Sequence, residues 1–69
     1  MESERMMKMS LPKDPAMLLS VVNTKLRDFY PSLDELCRSE DVSRSELEQA
    51  LASLRYVYRE ERNQFVRQN

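Results

Sequence analysis

The sequence predicts a small, mainly α-helical domain: a three-helix bundle with a helix-turn-helix and a short C-terminal β-hairpin, the element order of a minimal winged helix. Three observations carry this. Two Ser-x-x-Glu capping boxes, Ser32–Glu35 and Ser43–Glu46, open two consecutive short helices. Apolar residues recur at helical spacing upstream of the first box and downstream of the second. Finally, Tyr56-Val57-Tyr58 and Gln64-Phe65-Val66 flank a polar tip, the pattern of a strand, a turn and a strand.

Residues 1–10 (MESERMMKMS) lack periodicity and are expected to be a frayed arm, with Met7 and Met9 as alternative natural starts. The single domain then spans 11–69. Asp14 is a good N-cap, because its carboxylate can accept from the free amides of a first turn. Pro15 suits the first helical position, where no intrahelical N–H is lost. The first helix is expected from Pro15 to about Phe29, with Leu18, Leu19, Val22, Leu26 and Phe29 on one face. Met17 and Val21 fall outside that arc, either covered by another segment or exposed. Tyr30-Pro31 ends the helix, since a residue before proline disfavours helical ψ.

The second helix is expected near Leu33–Ser39, with Leu33, Leu36 and Cys37 inward. The third runs from Arg44 to about Leu54 and buries Leu47, Ala50, Leu51 and Leu54; Val42 and Leu47 are placed for a hydrophobic staple. Together they form a helix-turn-helix over 32–55, with Cys37 as the small residue where the helices approach. The hairpin is expected at 56–67, with Asn63 suited to positive φ at its tip. The competing reading extends the third helix, with Tyr58 and Phe65 continuing the stripe of Leu47, Leu51 and Leu54. Tyr-Val-Tyr and Phe-Val are weak helix formers, which favours the hairpin.

Composition narrows the function classes. A chain of 69 residues has a thin stability margin. It has one cysteine and no histidine, so neither a disulfide framework nor a zinc ligand set is expected, and the thiol points to a reducing, cytoplasmic setting. With no glycine there is no phosphate-cradling loop, and no apolar run is long enough to span a bilayer. No cofactor is expected, and neither is catalysis: histidine is missing as a general base, and the adjacent carboxylates Asp34-Glu35 and Glu60-Glu61 do not face each other on a helix.

From Leu11 to Val66 the chain resembles a small bacterial family known only as a domain of unknown function, numbered four-two-five-zero. The resemblance rests on Leu11-Pro12-Lys13-Asp14-Pro15, the Leu18-to-Asn23 and Lys25-to-Asp28 runs, Ser32-to-Cys37, and the Tyr56, Tyr58 and Asn63-Gln64-Phe65 end. It implies a compact bacterial protein and brings no activity, ligand or catalytic residue. Similar sequences often have glycine at the position of Arg55, where it would end the third helix cleanly.

Two kinds of partner remain. In a DNA-binding helix-turn-helix, Arg44, Ser45, Glu48 and Gln49 would face the major groove, Arg44 suited to guanine and Gln49 to adenine, with Arg59 and Arg62 of the hairpin on phosphates. Against this, residues 32–55 carry three arginines and six carboxylates, a net −3 on the surface meant to meet phosphate. The charge balance favours contacts with another protein or with a second copy, for which Met17, Val21 and Tyr30 are the candidate patch. Cys37 reads as packing rather than redox chemistry, with only Arg38 near in sequence to stabilise a thiolate. Asn23, Lys25 and Arg27, on the polar side of the first helix, are either a contact surface or solubilising charge, and solvated surface is the preferred reading.

Overall fold

A computed structural model describes residues 11–68, so the expected arm at 1–10 lies outside the described residues. Three helices, α1 (Pro15–Asp28), α2 (Leu33–Glu40) and α3 (Arg44–Ala52), precede an antiparallel hairpin, β1 (Tyr56–Arg59) and β2 (Gln64–Arg67). The helical bundle and the C-terminal hairpin stand where the sequence places them.

Each helix starts on the expected cap. Asp14 Oδ2 accepts from the Met17 N–H at 3.1 Å, Ser32 Oγ from Glu35 at 3.2 Å and Ser43 Oγ from Glu46 at 3.3 Å. Each satisfies an amide that the helix itself leaves without a partner. The first box is not reciprocal: the Glu35 carboxylate instead takes Arg38 Nη1 at 3.4 Å. α2 ends at Asp41, which adopts φ 60°, and the Val42 N–H then closes on the Cys37 carbonyl at 3.0 Å.

The core is one cluster of Leu18, Val22, Leu26, Leu33, Leu36, Cys37, Leu47, Leu51 and Phe65. All three helices contribute, and Phe65 brings the hairpin into the same interior. Two core expectations need correction. Phe29 is 70 % exposed, because α1 stops at Asp28 and the chain turns out of helical register at Phe29 (φ −124°). Leu54 is half-buried and lies beyond α3, which closes at Ala52.

The hairpin wins over a longer α3 at Arg55, which takes φ 68° and donates its N–H to the Ala52 carbonyl at 2.8 Å. A left-handed residue just past a helix is the usual stop, normally glycine; here arginine accepts that conformation. In the sheet, Tyr56 pairs with Arg67, Val57 with Val66, Tyr58 with Phe65 and Arg59 with Gln64. Asn63 closes the four-residue turn at φ 53°, its N–H on the Arg59 carbonyl at 2.8 Å.

Candidate functional site

The outer surface of α3 and the adjoining hairpin hold most of the residues singled out by sequence. Arg44 sits at the first turn of α3, half-buried. Its Nη1 donates to Asp34 Oδ1 at 2.8 Å and its Nε to Glu48 Oε2 at 3.1 Å, one helical turn on. Its guanidinium carbon lies 5.5 Å from the centroid of the Tyr58 ring. The two carboxylate hydrogen bonds, Asp34 first, push its pKa further above the arginine value. The donors that would read a base are therefore turned onto the protein's own side chains. Ser45 and Gln49 are exposed, with Ala52, on the outward face of α3, beside the exposed Glu46.

Tyr58 continues the network inward. Its hydroxyl donates to Asn63 Oδ1 at 2.6 Å and accepts the Leu33 N–H at 3.2 Å, while its ring tilts against Phe65 at 5.6 Å. Asn63 Nδ2 donates to the carbonyls of Leu26 (3.0 Å) and Tyr30 (2.9 Å), where α1 leaves acceptors unfilled. Glu48, Ala52, Tyr56, Val57, Tyr58 and Phe65 line a cleft of about 250 Å³ between α3 and β1.

Arg59 and Arg62 are exposed at the hairpin tip, with Arg55 and Arg67 exposed at its base. None of these four forms an ion pair among the described residues, whereas Lys25, Arg27, Arg38 and Arg44 all do. Segment 55–68 holds four arginines and two glutamates, a net +2, against two arginines and six carboxylates, a net −4, in segment 32–54. The molecule is polarised, with a basic hairpin beside an acidic helix pair.

The residues offered for self-association separate. Met17 is 60 % exposed and Val21 half-buried. Tyr30 packs against the core, and its hydroxyl donates to Glu40 Oε2 at 3.1 Å with Ser39 Oγ at 3.0 Å. Lys25 Nζ reaches the same Glu40 oxygen at 3.2 Å, so Glu40, whose side chain is only 12 % exposed, braces the end of α1 to the end of α2. A second, open groove of about 320 Å³ lies between the start of α1 and α3, lined by Leu11, Pro12, Leu18, Val42, Leu47 and Ala50 among others.

Cys37 is 7 % exposed, and burial pushes its thiol pKa up. The nearby cation that opposes this is Arg44, brought close by the fold, rather than its sequence neighbour Arg38. Among the described residues no group of three or more His, Cys, Asp or Glu side chains is placed to hold a metal ion, and no helix is long and apolar enough to cross a membrane.

The preferred sequence reading of Asn23 needs correction. Read as solvated surface, it is half-buried: its amide donates to the Phe65 carbonyl at 3.0 Å and accepts the Phe65 N–H at 2.8 Å, while Gln64 Nε2 returns a bond to the Asn23 carbonyl at 2.9 Å. Of the grouped residues Asn23, Lys25 and Arg27, only Arg27 keeps a solvated role, pairing with the adjacent Asp28 at 2.9 Å.

No curated protein and no solved structure matches the chain. The profile described as "Domain of unknown function (DUF4250)" matches residues 12–65, a stretch that takes in all three helices, β1 and the start of β2. The Pro-Lys-Asp-Pro entry to α1, the Ser32 cap and the Asn63-Gln64-Phe65 anchor all lie inside it, and the chain belongs to that family.

Proposed function

We propose that this domain is a non-catalytic module that acts through protein contacts in the bacterial cytoplasm. The observation that carries the reading is the capture of Arg44 by Asp34, Glu48 and Tyr58. The one arginine of α3 is committed to holding α2, α3 and β1 together. What remains outward on α3 is Ser45, Gln49 and Ala52 beside Glu46, a surface poorly matched to phosphate. The lone buried thiol fits a reducing compartment. The absence of histidine leaves general acid–base chemistry without its commonest residue.

A second reading is favoured by the hairpin. Arg55, Arg59, Arg62 and Arg67 form a basic strip beside a helix pair, the arrangement of a winged-helix DNA binder in which the wing dominates. Fluorescence anisotropy of mixed-sequence duplex DNA, at low and moderate salt, decides between them. Protein-contact function predicts no binding at high micromolar protein and low salt. Tight association that falls steeply with salt overturns it. Sedimentation across a concentration range tests self-association, with Met17→Lys as the variant that dissolves a dimer built on Met17 and Val21.

A further inference from the structure

The two edges of the hairpin are treated differently. Asn23 occupies both the N–H and the C=O of Phe65, so those groups face away from β1. In an antiparallel ladder this makes Tyr58↔Phe65 a non-hydrogen-bonded pair. The Gln68 N–H to Arg55 carbonyl bond at 2.7 Å sets the same phase from the other end. By alternation, the N–H and C=O of Tyr56 and Tyr58 point away from β2, toward the far edge. No hydrogen bond engages them among the described residues. The edge of β2 is thus capped at Phe65 by a side-chain amide, while among the described residues the edge of β1 is open at both Tyr56 and Tyr58.

Unpaired strand edges are templates for another strand. Two features here restrict which one. Arg55 and Arg59 bracket β1, both exposed. If a second copy paired antiparallel about Val57, Arg55 of each chain would stand opposite Arg59 of the other, and like charges directly opposite are unfavourable. The same two cations attract a strand with a carboxylate at each end. The cleft between α3 and β1, lined by Ala52, Tyr56, Val57 and Tyr58, offers room for a small apolar side chain next to the open edge.

We propose that the outer edge of β1 is a docking site for an extended acidic segment of a partner protein, which adds as a third strand. The segment takes backbone hydrogen bonds from Tyr56 and Tyr58, places carboxylates against Arg55 and Arg59, and turns a small apolar side chain toward Ala52. This rests on the protein-contact reading and gives it a surface and a partner chemistry.

The test uses the full chain, 15N-labelled, titrated with the capped peptide acetyl-Glu-Val-Thr-Val-Glu-amide, whose Val residues share the face of Tyr56 and Tyr58 when its Glu residues stand opposite Arg55 and Arg59, and followed by amide shifts. The expected result is saturable shifts centred on residues 55–59. Methylating the two Val amides of the peptide removes the donors that face Tyr56 and Tyr58 and is expected to weaken binding about tenfold or more. Replacing its Glu residues by Lys is expected to do the same, and the Arg55→Glu/Arg59→Glu double variant should reverse that charge preference. Equal binding of the methylated peptide, shifts centred elsewhere, or an unchanged preference in the double variant overturns the proposal. So does a concentration-dependent dimer that protects Tyr56 and Tyr58 from amide exchange, which assigns the edge to a second copy. Duplex DNA added to the same sample separates the two levels: a failed peptide titration without DNA binding removes only the edge assignment, whereas salt-sensitive DNA binding removes the protein-contact reading.

Discussion

The side-chain amide of Asn23 pairs with both backbone polar groups of Phe65, donating at 3.0 Å and accepting at 2.8 Å, across 42 residues of chain. It substitutes for a third strand at the edge of β2. Asn23→Ala strands a donor and an acceptor at a half-buried position and is expected to cost about 2 kcal/mol in urea denaturation. Amide exchange at Phe65 should accelerate along with it. Asn23→Asp keeps the acceptor for the Phe65 N–H but sets a carboxylate against the Phe65 carbonyl, so it should not rescue.

Arg55 supplies a left-handed conformation that most side chains resist. Arg55→Gly relieves the clash between Cβ and carbonyl oxygen, worth ~1–2 kcal/mol, and gives part of it back as unfolded-state freedom. The expected outcome is a net gain of about 0.5–1 kcal/mol in the urea midpoint analysis, with an unchanged m-value. Arg55→Ala, which keeps Cβ, should show no such gain.

Arg44 and Arg62 should behave oppositely. Arg44→Ala removes two ion pairs and a cation–π contact between α2, α3 and β1, and is expected to lower stability by ~1 kcal/mol. Arg44→Lys should recover little, because an ammonium cannot serve Asp34, Glu48 and the Tyr58 ring in one planar geometry. Arg62→Ala, at the exposed tip, is expected to leave the thermal midpoint unchanged. A reversed pattern would show that Arg44 is held for something other than the fold.

Burial raises the pKa of the Cys37 thiol. The folded chain therefore keeps the proton to higher pH than the unfolded chain, and the sign of the linkage follows. The stabilisation is complete below the ordinary thiol value of about 8.5 and is lost as pH rises through the folded value. Modification by a thiol reagent should be slow at pH 8 in the native protein and fast in urea. Cys37→Ser should lose stability at neutral pH and show a weaker alkaline decline than the parent.

Local signals were legible in the sequence. Three N-caps, the hairpin turn at Asn63 and the inward residues of α2 all follow from interactions spanning a few residues. Phe29 was misplaced because helical periodicity was carried one residue past the end of α1. The (i, i+4) spacing of Arg44 and Glu48 was readable as an ion pair, but the approach of Asp34 and Tyr58 depends on how α2 and β1 pack. Asn23 and Asn63 were hardest: an amide that caps a distant backbone has no periodic signature, and on a helix or in a turn it looks like any solvated polar residue. The candidate site was legible as a list of residue types and not as a surface, since the difference between the two hairpin edges depends on Asn23 packing against Phe65 from a distant helix.

That division between short and long contacts also orders assembly in time. The caps and helix–turn–helix contacts close small loops, whereas Asn63 and Asn23 join the hairpin to α1 across 37 to 42 residues. Closing such loops carries a larger entropy cost before any bond forms. The helices should condense first and the hairpin dock onto them last, so weakening the Asn23 anchor is expected to speed unfolding and leave the refolding rate almost untouched.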